Sequence, residues 1–366
     1  MSQTGRTMAE ANDIIEPRVS SHPDVVGVAR PRMRDVAALA EVGIKTVSRV
    51  INDEPGVSEV TRQKVLQAAQ RLNYQLDMAA QSLRRAGRQT LSIGLLLPSV
   101  ANPFHGQIHR ALGDVLASHG MAVLAASLDD DAAREEALVK AFLRRRVDGL
   151  VLTPVAKSQG YLPEHSSDLP MVFIDREPVG TDADAVVSDN AAGAAKAAAH
   201  LISQGHTKLA YLAGRTDIQT ARQRRRGFTD ELGRAGISPD TVHFLEGLRS
   251  EESARKAVRE LLTGAEPPTA IFSAQILVTF GVMRALQELG LNRAVALVGF
   301  GDFTLSDMMD PGITVVAQHP EHIGRVAAER ILARINGDQQ EPQTYIVPCE
   351  LILRGSGEVP PPPPNR

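Results

Sequence analysis

The sequence predicts an α/β protein: a small all-α head carrying a helix-turn-helix, then a body of two doubly wound parallel-sheet subdomains. Three observations lead there. Two short amphipathic segments meet at a turn between Arg34 and Asn52. From Leu91 onward, short apolar runs alternate with longer amphipathic segments, the mark of strands and helices taken in turn. Charge is also divided unevenly along the chain. Residues 30–90 hold eleven Lys or Arg against six Asp or Glu, a net +5, so the remainder of a chain with net charge −3 carries −8. A basic module on an acidic body suits a nucleic-acid reader joined to something else.

At 366 residues and 43% apolar content the chain can bury a large core and should form two or three domains. Its single cysteine, Cys349, excludes an internal disulfide framework and fits a reducing compartment. No apolar run reaches the ~18 residues of a membrane span. The N-terminus also lacks the charged-then-apolar order of a signal peptide. A cytoplasmic protein without membrane attachment is expected.

Residues 1–30 show no periodicity and are expected to form a disordered extension. The head is expected over 31–75. Val36, Ala37, Leu39 and Ala40 form the apolar stripe of a first helix, and Gly43 marks the turn. Val47, Val50 and Ile51 give the second helix its buried face, while Lys45, Thr46, Ser48, Arg49 and Asn52 line the other. Such donors meet phosphates and base edges when a helix lies in the major groove. An ordinary helical hairpin with a solvated face has the same pattern. Ser58 caps a third helix with a stripe at Val65, Leu66, Ala69 and Leu72. Residues 76–90 read as a short helix and linker, with Asp77 available as a cap.

In the body, strands are expected at Leu91–Leu97, Ala122–Ala126, Gly149–Leu152, Met171–Ile174 and Leu209–Leu212. Further strands are expected at Val242–Leu245, Ala270–Phe272, Val295–Val298 and Thr314–Val316. Helices fill the gaps. The pattern over 91–354 is too long for one sheet, which predicts two subdomains with a cleft between them. Gly355-Ser-Gly and the prolines at 360–364 are expected to form a tail outside the packed core, over 355–366.

Several segments resemble the lactose-repressor (LacI/GalR) family of bacterial transcription factors. They include Arg34-Asp-Val-Ala, Thr46-Val-Ser-Arg-Val-Ile-Asn, Ala80-Gln-Ser-Leu83, Asn102-Pro-Phe, Ile174-Asp-Arg, Ser188-Asp-Asn, Arg224 with Gly227-Phe228, and Val298-Gly-Phe. The likeness runs from about residue 33 to 354. It implies a homodimer whose paired recognition helices read a palindromic double-stranded operator. It also implies a periplasmic-binding-protein-like body that holds a small-molecule effector between subdomains of about 91–188 plus 318–343 and 189–317 plus 344–354. On this resemblance Ile44 and Lys45 choose operator sequence, Arg49 reads guanine, and Thr46, Ser48 and Asn52 touch phosphates. Leu83 matches the leucine that wedges into the minor groove and kinks the duplex. The usual proline-asparagine pair after Tyr74-x is here Leu76-Asp77.

For the effector, the resemblance singles out Phe104, His105, Asp175 and Arg224. Two positions depart from the family. An Asn-Asp pair is replaced by Gln275-Ile276, and a ligand-stacking aromatic by Arg249. Losing an acid and gaining an arginine favours a polyol such as inositol, a phosphorylated sugar or an acidic metabolite over a plain hexose. The sequence shows no phosphate-cradling Gly-rich loop, nucleophile elbow or paired metal-ligand histidines, so neither catalysis nor a cofactor is expected. A small-molecule-binding protein whose N-terminal helices serve only assembly is the rival to a DNA reader.

Overall fold

The computed structural model describes residues 31–51, 54–74, 90–162 and 169–363. The expected extension over 1–30, Asn52, and the hinge segment with Leu83 lie outside the described residues. The chain forms two compact units, Met1–Arg84 and Arg85–Arg366.

In the first unit, α1 (Met33–Ala40) stops where Glu41 turns into the left-handed region, at φ 56°. The backbone amides of Thr46 and Val47 then donate to the Gly43 carbonyl and open α2 (Ile44–Ile51). α3 (Glu59–Arg71) starts at Ser58, whose hydroxyl accepts from the Thr61 amide at 3.3 Å. Val36, Ala37, Ala40, Val47, Val50, Val65 and Ala68 form the shared core. Two residues of the expected stripes differ. Leu39 and Leu66 are exposed, because three short helices enclose only the innermost positions of each face.

The second unit contains two six-stranded sheets. In chain order it runs β1 (Ser92–Leu97), α4 (Pro103–Ser118), β2 (Ala122–Ser127), α5 (Ala132–Arg145), β3 (Gly149–Leu152), β4 (Met171–Ile174) and β5 (Asp184–Ser188). Then come α6 (Asn190–Ser203), β6 (Leu209–Leu212), α7 (Gln219–Arg234), β7 (His243–Leu245), α8 (Glu251–Leu262), β8 (Ala270–Ser273), α9 (Ile276–Leu289) and β9 (Ala296–Phe300). The chain closes with β10 (Thr314–Ala317), α10 (Pro320–Ile335), β11 (Thr344–Val347) and β12 (Glu350–Ile352). The first sheet has the order β11-β5-β4-β3-β1-β2 and is parallel throughout. The second has the order β12-β10-β9-β8-β6-β7, with β12 alone antiparallel.

Strands β3, β6, β8, β9 and β10 are buried at every position, as continuous apolar runs between two layers of helix must be. Helices pack at unusually short range where glycine allows it. A Cβ on Gly227 of α7 would lie 2.0 Å from the Ala191 carbonyl oxygen of α6, and one on Gly324 of α10 would lie 2.6 Å from that of Ile108 in α4.

The structure changes three expectations. Strands β5, β11 and β12 were not anticipated. β11 belongs to the first sheet, paired with β5, so residues 344–347 leave the second subdomain to which the sequence assigned them. The crossing falls at Pro348 and Cys349 instead. Finally, the start of the expected tail is packed. The Ser356 hydroxyl donates to the Leu297 carbonyl at 2.6 Å, and Val359 joins the core of the second sheet.

The chain therefore crosses between the sheets after β5, after β10 and after β11. Asp184, at the start of β5, anchors the returning helix. Its carboxylate accepts from Arg330 and Arg334 at 2.8–3.2 Å and from the Gln343 amide at 2.9 Å. Burial alone would raise its pKa, but the donors from Arg334, Gln343 and Arg330 outweigh burial and hold it below the ordinary value. Asp184→Ala leaves Arg330 only the Asp338 carboxylate and Arg334 only backbone carbonyls, and should cost about 3 kcal/mol in urea unfolding. Because the folded pKa is the lower one, the wild-type contribution is present above the unfolded value near ~3.9 and fades as pH falls through the folded value. A variant as stable as wild type at neutral pH would remove Asp184 as the anchor.

Candidate functional site

α2 presents its polar face outward. Lys45 and Arg49 are exposed, Thr46 and Ser48 half-buried, and Ile44 is 53% exposed, so Ile44 is not spent on the core. No acid sits in the first turn of α2. Lys45 and Arg49, four residues apart and both exposed, thus share one face of the helix, an arrangement suited to a polyanion.

The second site is a cleft of about 490 Å³ between the two sheets of the body. In open parallel sheets ligands bind beyond the carboxyl ends of the strands, and both sheets turn those ends to the cleft. The first contributes Phe104 and His105 at the start of α4, Asp129 and Asp130 after β2, and Asp175 and Arg176 after β4. The second contributes Gly214 and Arg215 after β6, Arg224 from α7, Arg249 after β7, Gln275 after β8, Phe300 from β9 and Gln318 after β10. All six residues singled out from the sequence, Phe104, His105, Asp175, Arg224, Arg249 and Gln275, line this one cleft.

Arg224 lies on its floor. Its guanidinium stacks 4.0 Å above the Phe300 ring, and burial draws its pKa below the ordinary arginine value. Nε donates to Asn190 Oδ1 and Nη1 to the Ala274 carbonyl, each at 2.7 Å. These acceptors are neutral dipoles, so the fork is aimed while its charge is left uncompensated by a carboxylate at ion-pair distance among the described residues. Of five N–H groups, three remain for a ligand. His105 is buried, which pulls its pKa down and keeps it neutral. With Nδ1 donating to the Ser99 carbonyl at 3.1 Å, Nε2 is an acceptor. Asp175 sits in the left-handed region at φ 66°, beside Arg176 at 3.6 Å. Gln275 is held in place by space. A Cβ on Gly214 would lie 2.2 Å from Gln275 Oε1 and 3.3 Å from the Leu248 carbonyl oxygen.

Sequence reasoning did not select Asp130, Arg176, Arg215 or Gln318. Arg176 belongs to Ile174-Asp-Arg, and each of the four lies within three residues of a strand's carboxyl end, the signal that would have found them.

An exposed cationic helix on one unit and a polar, ligand-sized cleft in the other define a ligand-responsive DNA-binding regulator. Comparison with known proteins gives the family. Residues 32–77 match the model of bacterial regulatory proteins of the lacI family, and residues 198–357 match a periplasmic binding protein-like domain. The ribose operon repressor of Halalkalibacterium halodurans is 31% identical, over 88% of this chain and 96% of that protein. The transcriptional repressor PurR of Aliivibrio salmonicida is 28% identical, over 88% and 98%. A crystal structure of the lac repressor dimer bound to operator and the anti-inducer ONPF superposes with a TM-score of 0.80 at 28% identity, covering 90% of this chain and 99% of that one. The chain belongs to the LacI family of bacterial transcriptional regulators. It is a repressor with a helix-turn-helix head and an effector-binding body, and its relatives are repressors rather than enzymes. No described helix is long and apolar enough to cross a membrane.

Gly214→Ala should push the Gln275 amide out of the cleft with little loss of stability, since Gln275 is the flexible partner. A crystal structure of the variant with Gln275 unmoved would show that Gly214 does not set its position.

Proposed function

We propose that this repressor binds a palindromic operator as a homodimer in the cytoplasm and is controlled by a small polar effector in the cleft. The reading is carried by Arg224, a half-buried guanidinium fixed by neutral acceptors with N–H groups to spare. With Arg249 also lining the cleft, the site suits an anionic or densely hydroxylated ligand, such as a sugar phosphate, an organic acid or an inositol. Asp175 and His105 Nε2 supply acceptors for hydroxyls. The ribose operon repressor and PurR differ in the effectors their names suggest, so relatedness alone does not choose among these classes.

On the DNA side, Ile44 and Lys45 select bases, Arg49 reads guanine through a bidentate contact, and Thr46, Ser48 and Asn52 hold phosphates. Leu83 is the minor-groove wedge of this reading. Exposure of Ile44, Lys45 and Arg49 on one helix face supports the first part of it.

Arg49→Ala should lose about 1–3 kcal/mol of operator affinity and relax preference at one base pair, measured by gel shift across single-base operator variants. Equal weakening on every sequence would mean that Arg49 touches only phosphate. For the effector, thermal shift with glucose 6-phosphate, citrate and myo-inositol should give stabilisation that Arg224→Ala abolishes. A clear response to a neutral hexose and none to these three would overturn the assignment.

A further inference from the structure

Arg215 and Asp130 meet across the mouth of the cleft, one from each sheet. Arg215 Nε and Nη2 donate to the two carboxylate oxygens of Asp217 at 2.9 and 2.6 Å, which holds the guanidinium in one plane. Nη1 is left to face the opposite sheet. There it lies 3.4 Å from the Asp130 carbonyl oxygen and 3.5 Å from Asp130 Oδ1. Arg176 stands on the other side of the same carboxylate, with Nη2 at 3.9 Å. Asp130 is thus shared between two arginines, and every contact is longer than the ~2.7–2.9 Å of a charge-assisted hydrogen bond.

Arg176 is poorly satisfied where it sits. Its side chain is 9% exposed, Nη1 donates to the Pro154 carbonyl at 2.9 Å, and Nε has no hydrogen-bond acceptor. The nearest carboxylate oxygen to Nε, on Asp175, is 3.6 Å away. Burying a charged donor without an acceptor is costly, so the site is short of one close anion. The turn that presents Asp130 is itself under tension. Asp129 and Asp130 both occupy the left-handed region, at φ 52° and 55°, and such strain gathers at ligand clamps. An ion pair from Asp129 to Arg134 at 2.8 Å and the cap that Asp131 places on α5 keep the turn in that form. The Asp130 side chain itself is 41% exposed, with solvent on its open side.

We propose that Asp130 is a built-in counter-anion that holds the place of the effector's own phosphate or carboxylate between Arg176 and Arg215. The proposal rests on the cleft being the effector site and commits that site to an anionic ligand. An arriving anion displaces Asp130 and joins the two arginines through its own oxygens at shorter range. Because Arg176 belongs to one sheet and Arg215 to the other, the anion also draws the sheets together. A neutral sugar leaves Asp130 in place and makes no such link.

The test uses full-length protein carrying Asp130→Asn, with inorganic phosphate as the probe and chloride at equal ionic strength as the control. Asparagine tolerates the left-handed backbone, and an unchanged unfolding midpoint in chloride checks the fold. Calorimetry should show phosphate bound roughly tenfold more tightly by the variant than by wild type, the scale of one charge-assisted contact freed. Adding Arg215→Gln should remove the gain. Equal phosphate affinity in wild type and Asp130→Asn, or a gain that survives Arg215→Gln, would overturn the proposal. Gel shifts with wild-type protein and both neutral and phosphorylated sugars report separately on the cleft as the effector site. Operator release by neutral sugars alone would leave that site standing and remove its anionic specificity.

Discussion

The side-chain amide of Gln318 donates to the Ser188 hydroxyl at 3.2 Å, tying together two of the places where the chain passes between the sheets. Both residues are buried, Ser188 ending β5 and Gln318 following β10. Asn190, just past the first crossing, spends its amide on the Ser188 carbonyl and its oxygen on Arg224. The crossings and the floor of the cleft are therefore one hydrogen-bonded network. A change in the angle between the sheets must pass through the residues that aim Arg224.

The chemistry of the cleft follows from how unevenly its charges are paired. Arg215 gives Nε and Nη2 to Asp217, a bond that pulls Asp217 down to a pKa of about 2, and keeps only Nη1 for the opposite sheet. Arg224 is engaged only by dipoles and an aromatic face. Arg176 is between these extremes. Donors that are oriented but not neutralised give selectivity, because a ligand lacking the matching acceptors leaves them buried and unsatisfied. The neutral His105 adds an acceptor without adding charge.

Much of this was legible in the sequence. Most of the strands that the sequence predicts are short apolar runs, and several of the residues within three positions of their ends fall at the cleft because parallel strands deliver their carboxyl ends to one edge. What was missed has physical causes. β11 and β12 show apolar runs of only three residues, Tyr345-Ile-Val and Leu351-Ile-Leu, too short to stand out beside the longer runs of the buried strands. β5 opens on the charged Asp184, whose burial depends on Arg330 and Arg334, partners far away in the chain. The Asp130–Arg215 contact joins residues 85 positions apart, and no local pattern announces it. Ser356 and Val359 read as part of a proline-rich tail because the carbonyl of Leu297 that receives Ser356 is equally remote.

The interleaved route of the chain also bears on how the protein is made. The first sheet lacks its edge strand until β11 emerges, and the second lacks β12 and the Ser356 stitch until after that. Synthesis runs from the N-terminus, so the three-helix head is complete early while both sheets wait for the last few dozen residues. Neither half of the body can finish as an independent unit on the ribosome. The two must close almost together, and until they do the edges of β5 and β10 are open to pairing with other chains.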